Sequence, residues 1–196
     1  MCLRRLLPTA LVALLPALAL SACSSSDVAG APEPTPSTYY DVVSEPEIKP
    51  GDPVPVPTGK VVLTLRGVPN TNVGKTLRFD LATLEKLGVV SYSVFDRQAE
   101  GRDVTFSGPL LKSVLDVAGA TGTNLHCIAL NDYAVDVPAA DADALPVILA
   151  TKADGKKMSV AHYGPTRFIY PTDGFDLDST IYDPRWIWQL ETIVVK

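Results

Sequence analysis

The chain has 196 residues, 46% of them hydrophobic and 20% charged, with a formal net charge of −5. That length allows one domain of ordinary size with extensions. An acidic balance without a basic run excludes nucleic acid as an expected partner.

Much of the apolar excess lies at the N-terminus, in MCLRRLLPTALVALLPALALSAC. Arg4 and Arg5 precede an apolar run from Leu6 to Leu20, and small residues follow. This is the layout of a secretory signal peptide. The run is interrupted by Pro8 and Pro16 and falls short of the ~20 residues of a spanning helix. Leu20-Ser21-Ala22-Cys23 resembles the lipobox of bacterial lipoproteins, where the signal is cut before a cysteine that is then acylated. The resemblance implies a signal peptide over residues 1–22 and lipidation (palmitate-type chains) of Cys23. Ser24 rather than Asp follows the cysteine, which by the same resemblance implies the periplasmic face of the outer membrane. Acyl chains at about 0.8 kcal/mol per buried methylene would hold the chain to its membrane.

Loss of residues 1–22 removes two arginines and no acid, so 15 basic against 22 acidic residues leave a mature charge of −7. Of the three cysteines, Cys2 leaves with the signal and Cys23 is acylated, so only Cys127 remains as a thiol. An internal disulfide and a cysteine-based zinc site are both excluded by that count.

Residues 23–58 are rich in proline, with eight of the chain's 17 between positions 32 and 57. Such a composition buries little and favours extended polyproline conformations, so the segment is expected to be a tether. Tyr39-Tyr40 either decorate it or form a short docking strand against the domain.

The folded domain is expected over residues 59–196. Lys60 to Arg66 reads as a strand ended by Gly67, and Asp80 as the N-cap of a helix from Leu81 to Leu87 that Gly88 stops. Residues 89–95 and 103–108 are strand-like. Pro109 is expected at a first helical position, with Leu110, Leu111, Val114, Leu115 and Ala118 on one face and Gly119 at the end. NLHCIALN is apolar on both alternations and is expected to be a central strand buried on both faces. YAVDVP follows, then a short AADADAL turn. Asp154-Gly155 is a hairpin signal, and residues 166–171 and 186–195 are the last strands. Many short strands with two short helices predict a mixed α+β domain.

Chemistry-bearing motifs are sparse. His126 and Cys127 are neighbours on a strand and point to opposite faces, so they cannot share a metal. With His162 they make no metal-ligand pattern. FSGPLL is not a nucleophile elbow, and neither a dinucleotide fingerprint nor a phosphate-binding lysine loop occurs. Asp141 and Asp143 are spaced like a solvated turn.

Four stretches appear in order: FSGPLLKSVLDVAGATG, ALNDYAVDVP, VILATKADGKKMSVAHYGPTRFIYP and WIWQLETIVV. Together they resemble the oxidoreductase molybdopterin-binding domain, the sulfite-oxidase-type fold, over Leu63 to Val195. The resemblance implies a molybdopterin cofactor and a pocket near Asn131, Asp132 and Tyr133 at the turn, with Arg167 and Tyr170 on the TRFIYP strand. A guanidinium fork suits a terminal phosphate. The family also implies a molybdenum-ligating cysteine before the G-x-P-L helix, yet VVSYSVFDRQAEGRDVTF contains none. Cys127 lies after that helix and reads as a small buried residue.

The expectation is therefore a membrane-anchored envelope lipoprotein whose domain binds a small ligand or an envelope protein without redox catalysis. The alternatives are an active molybdopterin-dependent oxidoreductase of the sulfite oxidase type and a purely structural or interaction module with its cleft filled by Trp186 and Trp188.

Overall fold

The computed structural model describes residues 39–196. The expected signal peptide, Cys23 and the first part of the expected tether lie outside the described residues. Strand formation follows alternating apolar residues. In β4 (Val89–Asp96), Val90, Tyr92, Val94 and Asp96 are buried while the residues between them are more exposed. This strand pairs antiparallel with β5 (Arg102–Gly108) along its length, from Val90 opposite Gly108 to Asp96 opposite Arg102. With β1 (Asp41–Ser44), β9 (Lys152–Ala153) and β10 (Lys156–Lys157) they form one sheet, in the order β1-β4-β5-β9-β10.

A second sheet has the order β3-β2-β12-β6-β7, from Leu77–Asp80, Val61–Arg66, Leu190–Val195, Asn124–Ala129 and Ala134–Pro138. Its centre is β12, parallel to β2 and antiparallel to β6. A separate antiparallel pair joins β8 (Ile148–Ala150) and β11 (Arg167–Ile169), both fully buried. Among the described residues, four short α-helices complete a mixed α+β architecture: α1 (Leu81–Glu85), α2 (Leu111–Ala118), α3 (Asp141–Ala144) and α4 (Ser179–Tyr182). The α2 face of Leu111, Val114, Leu115, Val117 and Ala118 is buried, and each large apolar side chain so placed contributes roughly 1.5–3 kcal/mol.

Local signals explain the element ends. Asp80 caps α1 by accepting from Thr83 N at 2.8 Å, and it also takes Gly59 N at 2.8 Å and Thr58 N at 3.0 Å. Those donors, the Thr83 amide first, hold its carboxyl down at about 2. Gly119 ends α2 in the left-handed region, with φ of 64°. At Gly108 a β-carbon would overlap the Leu149 carbonyl oxygen, so β5 approaches β8 this closely only with glycine.

Several expectations change. Residues 39–58, expected to belong to the tether, pack on the domain. β1 pairs with β4, Ile48 and Val54 are buried, and Tyr39 packs edge-on against Tyr92 and Phe175 at 4.9 and 5.2 Å. The Tyr39 hydroxyl also accepts from Thr172 N and Asp173 N. Proline-rich composition suggests a solvated tether, but Tyr39, Ile48 and Val54 supply enough apolar anchors to hold the segment down.

Helix α2 starts at Leu111, because Leu110 stays extended and Leu111 N bonds to Val147 O at 2.8 Å. NLHCIALN forms an interior strand, paired with β12 and β7, but it is buried on one face only, through Leu125, Cys127 and Ala129. The AADADAL turn contains α3, whose Asp141 is buried rather than solvated. Trp186 to Gln189 stay outside β12 and form part of a cleft wall.

Candidate functional site

The β6–β7 turn fixes the first wall. Asp132 adopts φ of 64°, Ala129 N bonds to Tyr133 O at 2.9 Å, and Asn131 Oδ1 accepts from Tyr133 N at 3.2 Å. That arrangement is an Asx turn. Tyr133 stays 45% exposed but is anchored, its hydroxyl donating to Pro184 O at 3.1 Å.

The second wall is the segment before β12. Leu190 N bonds to Thr166 O and Phe168 N to Ile187 O, which ties it to β11. Gln189 has φ of 53° and donates from its backbone to Tyr163 O at 3.0 Å, and from its amide Nε2 to Val160 O at 2.7 Å. Tyr163 itself has φ of 61° and stacks in a tilted pair with Trp188 at 4.5 Å. Gln98 closes a third side, donating from Nε2 to Asp183 O at 2.9 Å.

Together these walls enclose a cleft of about 610 Å³, lined among others by Asn131, Tyr133, Tyr163, Trp186 and Trp188. That lies within the range of small-molecule sites, roughly 300–1,000 Å³. Of the four non-glycine residues with positive φ among the described residues, Tyr163 and Gln189 line this cleft and Asp132 lies at its rim. Bulky side chains in the left-handed region are unfavourable and persist only where surroundings hold them.

Behind the aromatic wall lie Arg167 and Asp96, which also border a second cavity of about 310 Å³. Arg167 is 1% exposed and Asp96 fully buried, and they form a bidentate pair at 2.7 and 2.9 Å. The guanidinium carbon sits 5.3–5.8 Å from the ring centres of Phe106, Tyr163, Trp186 and Trp188. Asp96 also accepts from Gln98 N and Ala99 N, which links the pair to the cleft side. Two buried donors have no partner among the described residues: Arg167 Nε and Trp188 Nε1.

Tyr170 is fully buried and belongs to another network. Its hydroxyl donates to Asp141 Oδ2 at 2.9 Å, and Arg185 donates to the same oxygen at 2.7 Å. Burial first, then the neighbouring Asp141 charge, pushes the Tyr170 phenol well up. Arg185 also lies over the Tyr182 ring at 4.8 Å, so this network anchors the Asp183–Arg185 turn beside the cleft.

The five residues implied for a pterin thus do not form one site. Asn131 and Tyr133 line the cleft, and Asp132 shapes the turn between them. Arg167 and Tyr170 are interior. Sequence reasoning missed Gln98, Tyr163 and Gln189. The legible signal was Trp186-x-Trp188, the chain's only two tryptophans, two residues apart.

No family model matches the chain, and no curated protein matches it. Among solved structures it is similar to the sulfane dehydrogenase SoxCD from Paracoccus pantotrophus. Identity is 16% over 68% of this chain, with a TM-score of 0.49. The chain spans 37% of that protein's length, a likeness too slight to carry a cofactor or a reaction across.

The donor set here does not suit a molybdopterin. Both terminal nitrogens of Arg167 are engaged and its charge neutralised by Asp96, and the remaining donor, Nε, is buried. Cys127 lies in the core with its thiol against Leu125 O, and burial pushes its pKa up, so it is held as a neutral thiol rather than a metal-binding thiolate. His126 pairs with Asp136 at 2.8 Å and His162 with Ser159 at 2.9 Å, on separate parts of the surface.

Proposed function

We propose that this chain is a non-redox binding protein of the cell envelope, anchored by lipid on Cys23 and taking a small molecule in the Trp186–Trp188 cleft. The observation that carries the reading is the cleft itself: about 610 Å³ walled by aromatic rings and carboxamides held in place by backbone hydrogen bonds. Residues held in the left-handed region at Tyr163 and Gln189 support it. The lining is suited to holding a ligand. Its one carboxylate is Asp183, and no histidine, cysteine, serine or second carboxylate lines the cleft among the described residues.

The lipobox-like LSAC sequence supports the anchor. No helix among the described residues is long and apolar enough to cross a membrane.

Two measurements on the exported full-length chain test this reading. Labelled palmitate is expected to enter the chain and to be lost in Cys23→Ser. Metal and pterin analysis is expected to find neither in stoichiometric amount. Molybdenum with a pterin at one per chain would overturn the non-redox reading, and palmitate retained in Cys23→Ser would overturn the anchor.

A further inference from the structure

One short segment borders three cavities. Residues 159–163, which contain the 3₁₀ turn Val160–His162, have no fully buried side chain. Val160 and Ala161 line the Trp186–Trp188 cleft. Ser159 and Val160 also line a groove of about 490 Å³ that Val62 and Leu81 share. Tyr163 lines both the cleft and the cavity of about 310 Å³ bordered by Arg167.

The segment is tied down by one residue. Val160 O and Tyr163 O accept from Gln189, through Nε2 at 2.7 Å and the backbone N–H at 3.0 Å. Its other hydrogen bonds are local: His162 N and Gly164 N donate to Ser159 O, and Ser159 Oγ meets His162 Nδ1. Among the described residues, no residue but Gln189 bonds residues 159–165 to the rest of the domain. The stretch that carries Gln189 is fixed separately, with Phe168 N donating to Ile187 O and Leu190 N to Thr166 O. Few buried contacts and exposed hydrogen bonds mark a unit that opens well below the global unfolding free energy.

Both partners of this latch are strained. Tyr163 has φ of 61° and Gln189 φ of 53°, a region that bulky side chains occupy only where surroundings hold them. Breaking the two bonds lets both residues relax. Val160, already 45% exposed, can then move from the cleft towards the groove at Val62 and Leu81.

We propose that residues 159–163 form a lid latched by Gln189, closed in this structure, and that a ligand in the cleft holds it closed. The second part rests on the binding reading above. A ligand lying between Val160 and Tyr163 of the lid and Trp186 and Trp188 of the fixed wall touches both sides. It therefore binds the closed arrangement better and shifts the population towards it. When the lid opens, Tyr163 leaves the boundary between the cleft and the Arg167 cavity, and the two join.

Amide hydrogen exchange of the full-length chain, read residue by residue by NMR, tests the proposal. The Gln189 N–H is one of the two latch bonds, and the neighbouring Leu190 N–H belongs to the fixed wall. In the free chain, Gln189 is expected to exchange about a hundredfold faster than Leu190. Equal rates would overturn the lid, because latch and wall would then open together. Gln189→Glu keeps the side chain's size and removes the Nε2 donor. It is expected to speed exchange of the amide at position 189 about tenfold, with Leu190 and the melting temperature unchanged. Equal acceleration at Leu190 would likewise overturn the lid. The dye 8-anilinonaphthalene-1-sulfonate is the probe ligand, its occupancy read from the emission of the two tryptophans that line the cleft. At saturation it is expected to slow Gln189 exchange about tenfold. Saturable dye binding with Gln189 exchange unchanged would overturn the ligand-held lid and leave the cleft standing. Absence of saturable binding would overturn the binding reading, and the free-chain rates would still decide the lid.

Discussion

The two sides of one aromatic wall differ in how their polar groups are satisfied. On the inner side, Trp186, Trp188 and Tyr163 surround a guanidinium whose two terminal nitrogens are paired with Asp96. On the outer side the same three residues line a cleft whose carboxamides, Gln98, Asn131 and Gln189, each keep one polar end without a protein partner among the described residues. Buried and paired charge specifies structure, whereas polar groups held rigid and left open specify a ligand. The contrast separates what holds this domain together from what it presents.

The inner side should break hardest. Arg167→Met leaves Asp96 buried without its cation and is expected to lower unfolding free energy by about 3–5 kcal/mol, read by urea titration. Asp96→Asn should lose a similar amount, and the double variant Asp96→Asn/Arg167→Met should recover part of the loss, because no uncompensated charge remains. Additive losses would mean that the two residues do not act as a pair.

An intermediate effect is expected at the Asp183–Arg185 turn, which borders the cleft but is anchored from the interior. Arg185→Met removes the cation shared by Asp141 and leaves Tyr170 as its one remaining side-chain donor. A loss of about 1–3 kcal/mol is expected, with a weaker cleft ligand in the same variant. A stability loss with unchanged ligand affinity would show that this turn does not set the cleft's shape.

The outer side should scarcely respond in stability. Trp188→Phe keeps an aromatic ring against Tyr163 and the Arg167 guanidinium and deletes an N–H that has no partner among the described residues, so it should cost no more than about 1 kcal/mol of unfolding free energy. A loss as large as that of Arg167→Met would place Trp188 among the structural residues.

Features set by neighbours in the chain were legible from the sequence, and features set by distant partners were not. Asp80 capping α1, Gly119 ending α2 and the Asp154-Gly155 hairpin all depend on residues a few positions apart. So does the Asn131 turn, where an Asx side chain bonds two residues on. The partner of Arg167 is 71 positions away, and a guanidinium that fits a phosphate fits a carboxylate equally well, so composition could not decide between them. Tyr39 reaches Thr172 across 133 positions, and its proline-rich surroundings point towards a tether. Cys127 was readable as a core residue because Leu125 and Ala129 share its face. For the cleft, the turn and the two tryptophans carried a signal. Gln98, Tyr163 and Gln189 enter only through backbone geometry.

The central claim is that the Trp186–Trp188 cleft is a small-molecule site while the Arg167–Asp96 pair behind it holds the fold. With two tryptophans in the chain, ¹⁵N-labelled indoles should give two N–H resonances, assigned by the loss of one in Trp188→Phe. Addition of the dye 8-anilinonaphthalene-1-sulfonate is expected to shift both indole signals in a saturable way, because both rings line the cleft. Indole signals that both stay in place at saturating dye would contradict the claim.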